Sequence, residues 1–159
     1  MGRFIIALAA LALAAFIDAP RGVDDPRAFV AETYAAYERE ANAPPAEPAH
    51  AYSDRLRGLF ETYEAWARSH DDLVGSLDFD WWVNAQDWTI SRVSIVEFSF
   101  GPDRKVIEAH WTNYGRRDSS RFFFVREDGR WVLDDVVNGS GRGDDGWTLS
   151  ALLRERPQP

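Results

Sequence analysis

The run from Ser76 to Trp88, SLDFDWWVNAQDW, concentrates the side chains best suited to chemistry. Asp78, Asp80, Gln86 and Asp87 sit among Leu77, Phe79, Trp81, Trp82, Val83 and Trp88. No Lys or Arg occurs from Ser69 through Ser91. These acids therefore need distant arginines, backbone amides or water. Asp80 and Asp87 are candidates for a proton-transfer pair, one carboxyl being raised by its aromatic surroundings. The other account is architectural. Asp78 or Asp80 caps a short turn from Trp81 to Gln86, and Gln86 and Asp87 tie that turn to a sheet. Capping alone explains an Asp before an apolar turn, so the architectural account takes precedence.

Of three histidines, His110 is the best placed for a cavity wall. In a strand it shares a face with Glu108 and Thr112, opposite Ile107, Ala109 and Trp111. The apolar set is the expected core face, which puts His110 outside. His110 or Tyr114 would supply the acid to an Asp80 or Asp87 base in an isomerase or hydro-lyase. His50 sits in a proline-rich loop, and His70 precedes Asp71-Asp72. His70, Asp71, Asp72, Asp78 and Asp80 are ligand types for calcium or magnesium, but their spacing fits no EF-hand, so no metal is expected. The glycine run Asn138 to Gly146 lacks a Gly-Lys-Ser/Thr ending and carries Asp144-Asp145, which repel phosphate. No cofactor is expected. Trp81 and Trp82 are adjacent, and in most backbone conformations they cannot both point inward. One of them is expected at a surface contact, so Asp78, Asp80, Trp81, Trp82, Gln86, Asp87 and Trp88 form the expected ligand or partner surface.

Two helices precede that stretch. Asp24-Asp25-Pro26 reads as a helix start, followed by an apolar stripe at Phe29, Val30, Tyr34 and Tyr37. Three prolines between Pro44 and Pro48 end it. Ser53 restarts a helix whose Leu56, Leu59, Phe60, Tyr63 and Ala67 share a face to about Ser69. After the stretch the period changes to that of strands: 90–100, 106–114, 120–126 and 130–137. Asp128-Gly129 marks a type I′ hairpin between the last two. Leu149, Leu152 and Leu153 suggest a short closing helix or turn. Helices first and an antiparallel meander after make an α+β domain.

The N-terminus reads as an address. After Arg3, fourteen apolar residues run from Phe4 to Ile17, short of the roughly 20 that span a bilayer. Small residues at Ala12, Ala14, Ala15 and Ala19 complete a signal-peptide pattern over 1–19; an uncleaved anchor is the alternative. A periplasmic or secreted chain of one domain, 20–159, is expected, with no stable membrane span after cleavage. The 159 residues include 26 acids, 18 bases and no cysteine, for a formal charge of −8. Such a charge does not suit nucleic-acid binding, and disulfides, thiolate metal sites and cysteine nucleophiles are excluded.

Two helices, the LDFDxxVNAQDW stretch, four strands with the hairpin Glu127-Asp128-Gly129-Arg130-Trp131 and a closing leucine turn resemble the DUF3828 family. That family comprises exported bacterial domains of the NTF2-like superfamily. The resemblance covers about Arg27 to Leu153 and is most specific at Asp78-Phe79-Asp80 and Asn84-Ala85-Gln86-Asp87-Trp88. Trp81-Trp82 departs from it, since relatives often carry Pro after the second Asp. It implies a cone, a curved antiparallel sheet of about four strands packed on two N-terminal helices, with a cavity at its open end. NTF2-like cones host enzymes, ligand carriers and dimerisation modules alike, so a homodimer is open to this chain and the fold alone selects no activity. Without nucleophile, metal set or cofactor fingerprint, the leading expectation is a non-enzymatic binding or interaction module for a periplasmic protein or small ligand. The alternatives are the cavity enzyme above and an immunity or inhibitor protein whose acidic surface meets a basic partner.

Overall fold

The computed structural model describes residues 21–70, 75–139 and 146–156. The expected signal segment 1–19, Asp71-Asp72 and residues 140–145 of the glycine run lie outside them. Helix α1 spans Pro26–Arg39. Its start is built as the residues suggest: the Asp25 carboxylate accepts from the Arg27 and Ala28 amides at 2.9 and 3.1 Å, and Pro26 occupies the first turn, where an amide hydrogen would have no partner. Val30, Tyr34 and Tyr37 form its buried stripe. Helix α2, Asp54–Arg68, is capped by Ser53, whose hydroxyl accepts from the Leu56 amide at 3.0 Å. Between the helices the proline-rich segment ends in a short 3₁₀ turn, Ala49–Ala51.

The second half is a five-stranded antiparallel meander in the order β1-β2-β3-β4-β5. Strand β1 covers Ile90–Ser99, β2 Arg104–Asn113, β3 Arg116–Glu127, β4 Arg130–Asn138 and β5 Trp147–Thr148. Helix α3, Leu149–Leu152, closes the chain's described part. Four strands were expected and five are present. The additional one, β5, has only two residues, paired with Val137 and Asn138, too few to leave an alternating pattern in the sequence. The third strand also starts earlier than expected, at Arg116 and not Ser120. Tyr114 and Gly115 both have positive φ, 45° and 81°, which is the two-residue hairpin geometry. Pairing of Asn113 with Arg116 then extends the ladder through a polar stretch that hydrophobicity does not mark. Asp128-Gly129, at φ 49° and 78°, forms the hairpin expected from its residue types.

Alternation on β2 is as expected: Ile107, Ala109 and Trp111 are buried while His110 is exposed. The register sets Ile107 beside Phe122 and Lys105 beside Phe124. Ile107, Ala109, Trp111, Phe122 and Phe124 face Val30, Tyr34 and Leu56 in one core. Tyr34 meets Trp111 at a centroid distance of 5.1 Å. Each such large apolar side chain contributes about 1.5–3 kcal/mol on burial, which is how a chain without disulfides stays folded. Bulges interrupt β1 at Ser91/Ser94 and the β3–β4 ladder at Phe123/Phe124, and bulges bend and twist the strands that carry them. Val23 pairs with Trp131 and Tyr52 with Leu133 on β4. Gly22 permits the first of these contacts, because a Cβ there would lie 2.7 Å from the Trp131 carbonyl oxygen. Among the described residues no helix is long and apolar enough to cross a membrane.

Candidate functional site

The stretch singled out in the sequence folds into a closed turn. Asp80 and Ala85 exchange backbone hydrogen bonds, Asp80 N–H to Ala85 O at 3.0 Å and Ala85 N–H to Asp80 O at 3.3 Å. Inside the loop the Asp80 carboxylate caps the turn, accepting from the Trp82 amide at 2.9 Å through Oδ1. Asn84 takes a left-handed conformation, φ 52°, where an Asn is tolerated better than most residues. Its side chain then locks the turn to the sheet. Nδ2 donates to Asp118 Oδ2 at 2.9 Å, and Oδ1 accepts from the Trp147 indole at 2.8 Å. Asp118 Oδ1 accepts in addition from Asn138 Nδ2 and the Ser119 amide.

The expected division of labour is therefore half right. Asp80 is the capping residue, but Asn84, not Gln86 or Asp87, makes the side-chain tie to the sheet. Gln86 reaches back to Asp78, donating to its carbonyl and carboxylate at 3.2 Å. The Asp87 carboxylate is exposed; only its backbone oxygen is used, accepting from Asn113 at 3.2 Å.

Trp81 and Trp82 correct the expectation that one of them lies at the surface. They are 6% and 3% exposed. Adjacent side chains diverge to opposite faces in a strand, but these two residues lie in a turn, and their rings stack at 4.8 Å. Trp82 continues onto Phe122 at 4.8 Å, on the sheet side. Trp81 meets Phe60 and Tyr52, on the side of α2. Trp88 is buried too, against Tyr37. All three tryptophans of the expected binding surface are thus core residues, and among the described residues the exposed large apolar ones are Val96, Phe98, Phe100 and Tyr114.

A cavity adjoins the Asp80 turn on the side of α1. It has a volume of about 210 Å³ and lies between α1, the proline-rich segment and the turn, lined by Thr33, Tyr37, Pro44 to Pro48, and Phe79 to Trp82. Tyr37 donates its hydroxyl to Asp80 Oδ2 at 2.7 Å. Burial pushes the Asp80 carboxyl above its ordinary range; hydrogen bonds from Tyr37 and from the Trp82 and Val83 amides offset only part of that. The Tyr37 hydroxyl is driven well above its usual value by burial first and by the Asp80 charge second. The second acid in the cavity is Glu47. Crowding by protein, then the charges of Asp80 and Glu64, push its carboxyl up to about 7. The residue as a whole remains exposed, and water screens that shift.

Of the expected site residues, only Asp80, Trp81 and Trp82 line this cavity. Asp87 does not pair with Asp80. His110 lies on the outer face of β2, its Nε2 2.9 Å from a Glu108 carboxylate oxygen, and Tyr114 is 63% exposed in its hairpin. Neither reaches the Asp80 cavity. Sequence reasoning missed Glu47 and the polar role of Tyr37. A lone acid between prolines, in a segment too stiff to swing freely, was the available signal for Glu47. Among the described residues no three His, Asp or Glu side chains gather as metal ligands. The arrangement sets two carboxyls, both raised above their ordinary range, beside aromatic walls. It can accept hydrogen bonds from a bound polar group, favour a positive one, or take up a proton. The chain matches no family model, no curated protein and no solved structure.

Proposed function

We propose that the chain is an exported, non-enzymatic binding module of the DUF3828 type, with an NTF2-like cone, that holds a small polar ligand between the proline-rich segment and the Asp80 turn. The observation that carries this is the convergence of Asp80 and Glu47, both raised, on one cavity walled by Phe79, Trp81 and Trp82. Perturbed carboxyls in an aromatic recess mark a candidate site. The α+β order, the bulged meander and the helices packed on one sheet face support the cone. The short apolar run of residues 4–17 supports export to the periplasm or beyond. At about 210 Å³ the cavity suits a metabolite-sized molecule smaller than most drug-like ligands.

Native mass spectrometry of the mature protein, released gently from its own periplasm, tests the reading. A small molecule bound to the natural chain and absent from Glu47→Gln and Asp80→Asn variants is the expected result. Bare protein in every preparation, or a stoichiometric protein partner retained by both variants, would overturn it.

A second reading rests on Glu47. A carboxyl near neutrality is poised to act as a general base, which favours an isomerase or hydro-lyase with Glu47 in the base role expected of Asp80 or Asp87. In deuterated water such an enzyme would place deuterium on carbon in the bound molecule, whereas a carrier would leave its C–H bonds untouched.

A further inference from the structure

The lining of the Asp80 cavity is rich in hydrogen-bond acceptors, and its donors are largely spent. Glu47 and Asp80 are the charged residues that border it among the described residues, and both are acids; no lysine or arginine does. Thr33 donates its hydroxyl to the Phe29 carbonyl at 2.9 Å, and Tyr37 donates its own to Asp80. The Asp80 amide is bonded to the Ala85 carbonyl and the Trp82 amide to the Asp80 carboxylate. Pro44, Pro45 and Pro48 have no amide hydrogen to offer.

This imbalance selects among ligands. An anion would meet two carboxylates and no compensating cation. A neutral hydroxyl compound brings acceptor oxygens along with its donors, and each oxygen would lose its water without gaining a partner. A protonated amine brings donors alone. Its charge also relieves the repulsion between the acids, since crowding by protein and then the charge of Asp80 push the Glu47 carboxyl up. Glu47 makes no hydrogen bond or ion pair among the described residues, so its oxygens are open to a donor, whereas Asp80 is already anchored by Tyr37 and the Trp82 amide. Phe79 and the prolines supply apolar wall for a short carbon chain.

Resting on the reading of this cavity as a ligand site, we infer that its occupant is a small organic ammonium ion, a primary or secondary amine with a short apolar tail, whose N–H groups donate to Glu47 and Asp80. The groups that face Glu47 are Asp80 on the turn, Tyr37 on α1 and Glu64 on α2, none of them a cation. Below neutrality Glu47 therefore passes a proton to solvent as the ammonium arrives, and affinity rises with pH until that carboxyl is fully ionised. Backbone-amide NMR of the protein, titrated separately with n-butylammonium, n-butanol and butyrate, tests the assignment, because the three probes share a short carbon chain and differ in the head group. Saturable shifts with butylammonium at Ala46, Glu47 and residues 79–82 are expected, in the millimolar range that suits so small a probe. The other two respond at least about tenfold more weakly. From pH ~5.5 to ~8, where the amine stays charged, butylammonium affinity rises about tenfold in the natural chain and far less in Glu47→Gln. Undiminished binding to Glu47→Gln, or affinity independent of pH in the natural chain, would overturn the ammonium. Butanol or butyrate bound there as tightly as butylammonium overturns the ligand class and leaves the cavity a site. No response to any of the three removes both.

Discussion

Replacing Glu47 by Gln isolates the electrostatic cost of crowding two acids into one cavity. A carboxyl raised from 4.5 to about 7 on folding binds its proton more tightly in the native state than in the unfolded one. Stability then falls as pH rises, because the native chain must give up a proton it prefers to keep. The penalty is absent below pH 4.5, grows between 4.5 and about 7, and is complete above. For a wholly enclosed carboxyl each tenfold change in proton affinity is worth about 1.4 kcal/mol. Glu47 keeps much of its surface in water, and screening reduces the total to about 1 kcal/mol. Glutamine keeps the shape and never ionises. Urea unfolding at pH 4.5 and pH 7.5 measures the difference. The variant matches the natural chain at pH 4.5 and exceeds it at pH 7.5 by about 1 kcal/mol, a midpoint shift of about 0.5 M for a domain of this size. An equal shift at both pH values, or none at pH 7.5, would refute the argument that Glu47 is held against its charge.

Two further perturbations test how the Asp80 turn is held. Asn84→Ala removes hydrogen bonds to Asp118 and Trp147 and leaves an alanine at φ 52°; a loss of about 2–3 kcal/mol in urea unfolding is expected. Asn84→Gly relieves only the backbone part, so a glycine variant as stable as the natural chain would sink the role given to the side chain. Trp82→Ala empties the space between Trp81, Tyr34 and Phe122 and costs about 3–5 kcal/mol, whereas the exposed Phe100→Ala stays within about 0.5 kcal/mol. Equal costs for these two would show that Trp82 is not core.

Much of the architecture could be read from local rules. Asp25 before Pro26, Ser53 before Asp54 and Asp128-Gly129 mark caps and a turn whose hydrogen bonds or dihedral angles involve only near neighbours in the chain. The Ile107, Ala109 and Trp111 face of β2 follows from the two-residue period of a strand. The same period misled at Trp81-Trp82, because adjacent residues in a turn need not diverge. It also left β5 invisible, since two residues carry no pattern.

By itself the sequence determined the α+β order, the helix caps, the inward face of β2 and the use of Asp78 or Asp80 as a cap, all of them consequences of short-range geometry. Which acids share a cavity was decided only by tertiary structure. Asp80 and Asp87 are seven positions apart and do not meet, while Asp80 and Glu47, far apart in the chain, line one wall. Proton affinity depends on distance and solvent exclusion in space, which chain separation does not predict.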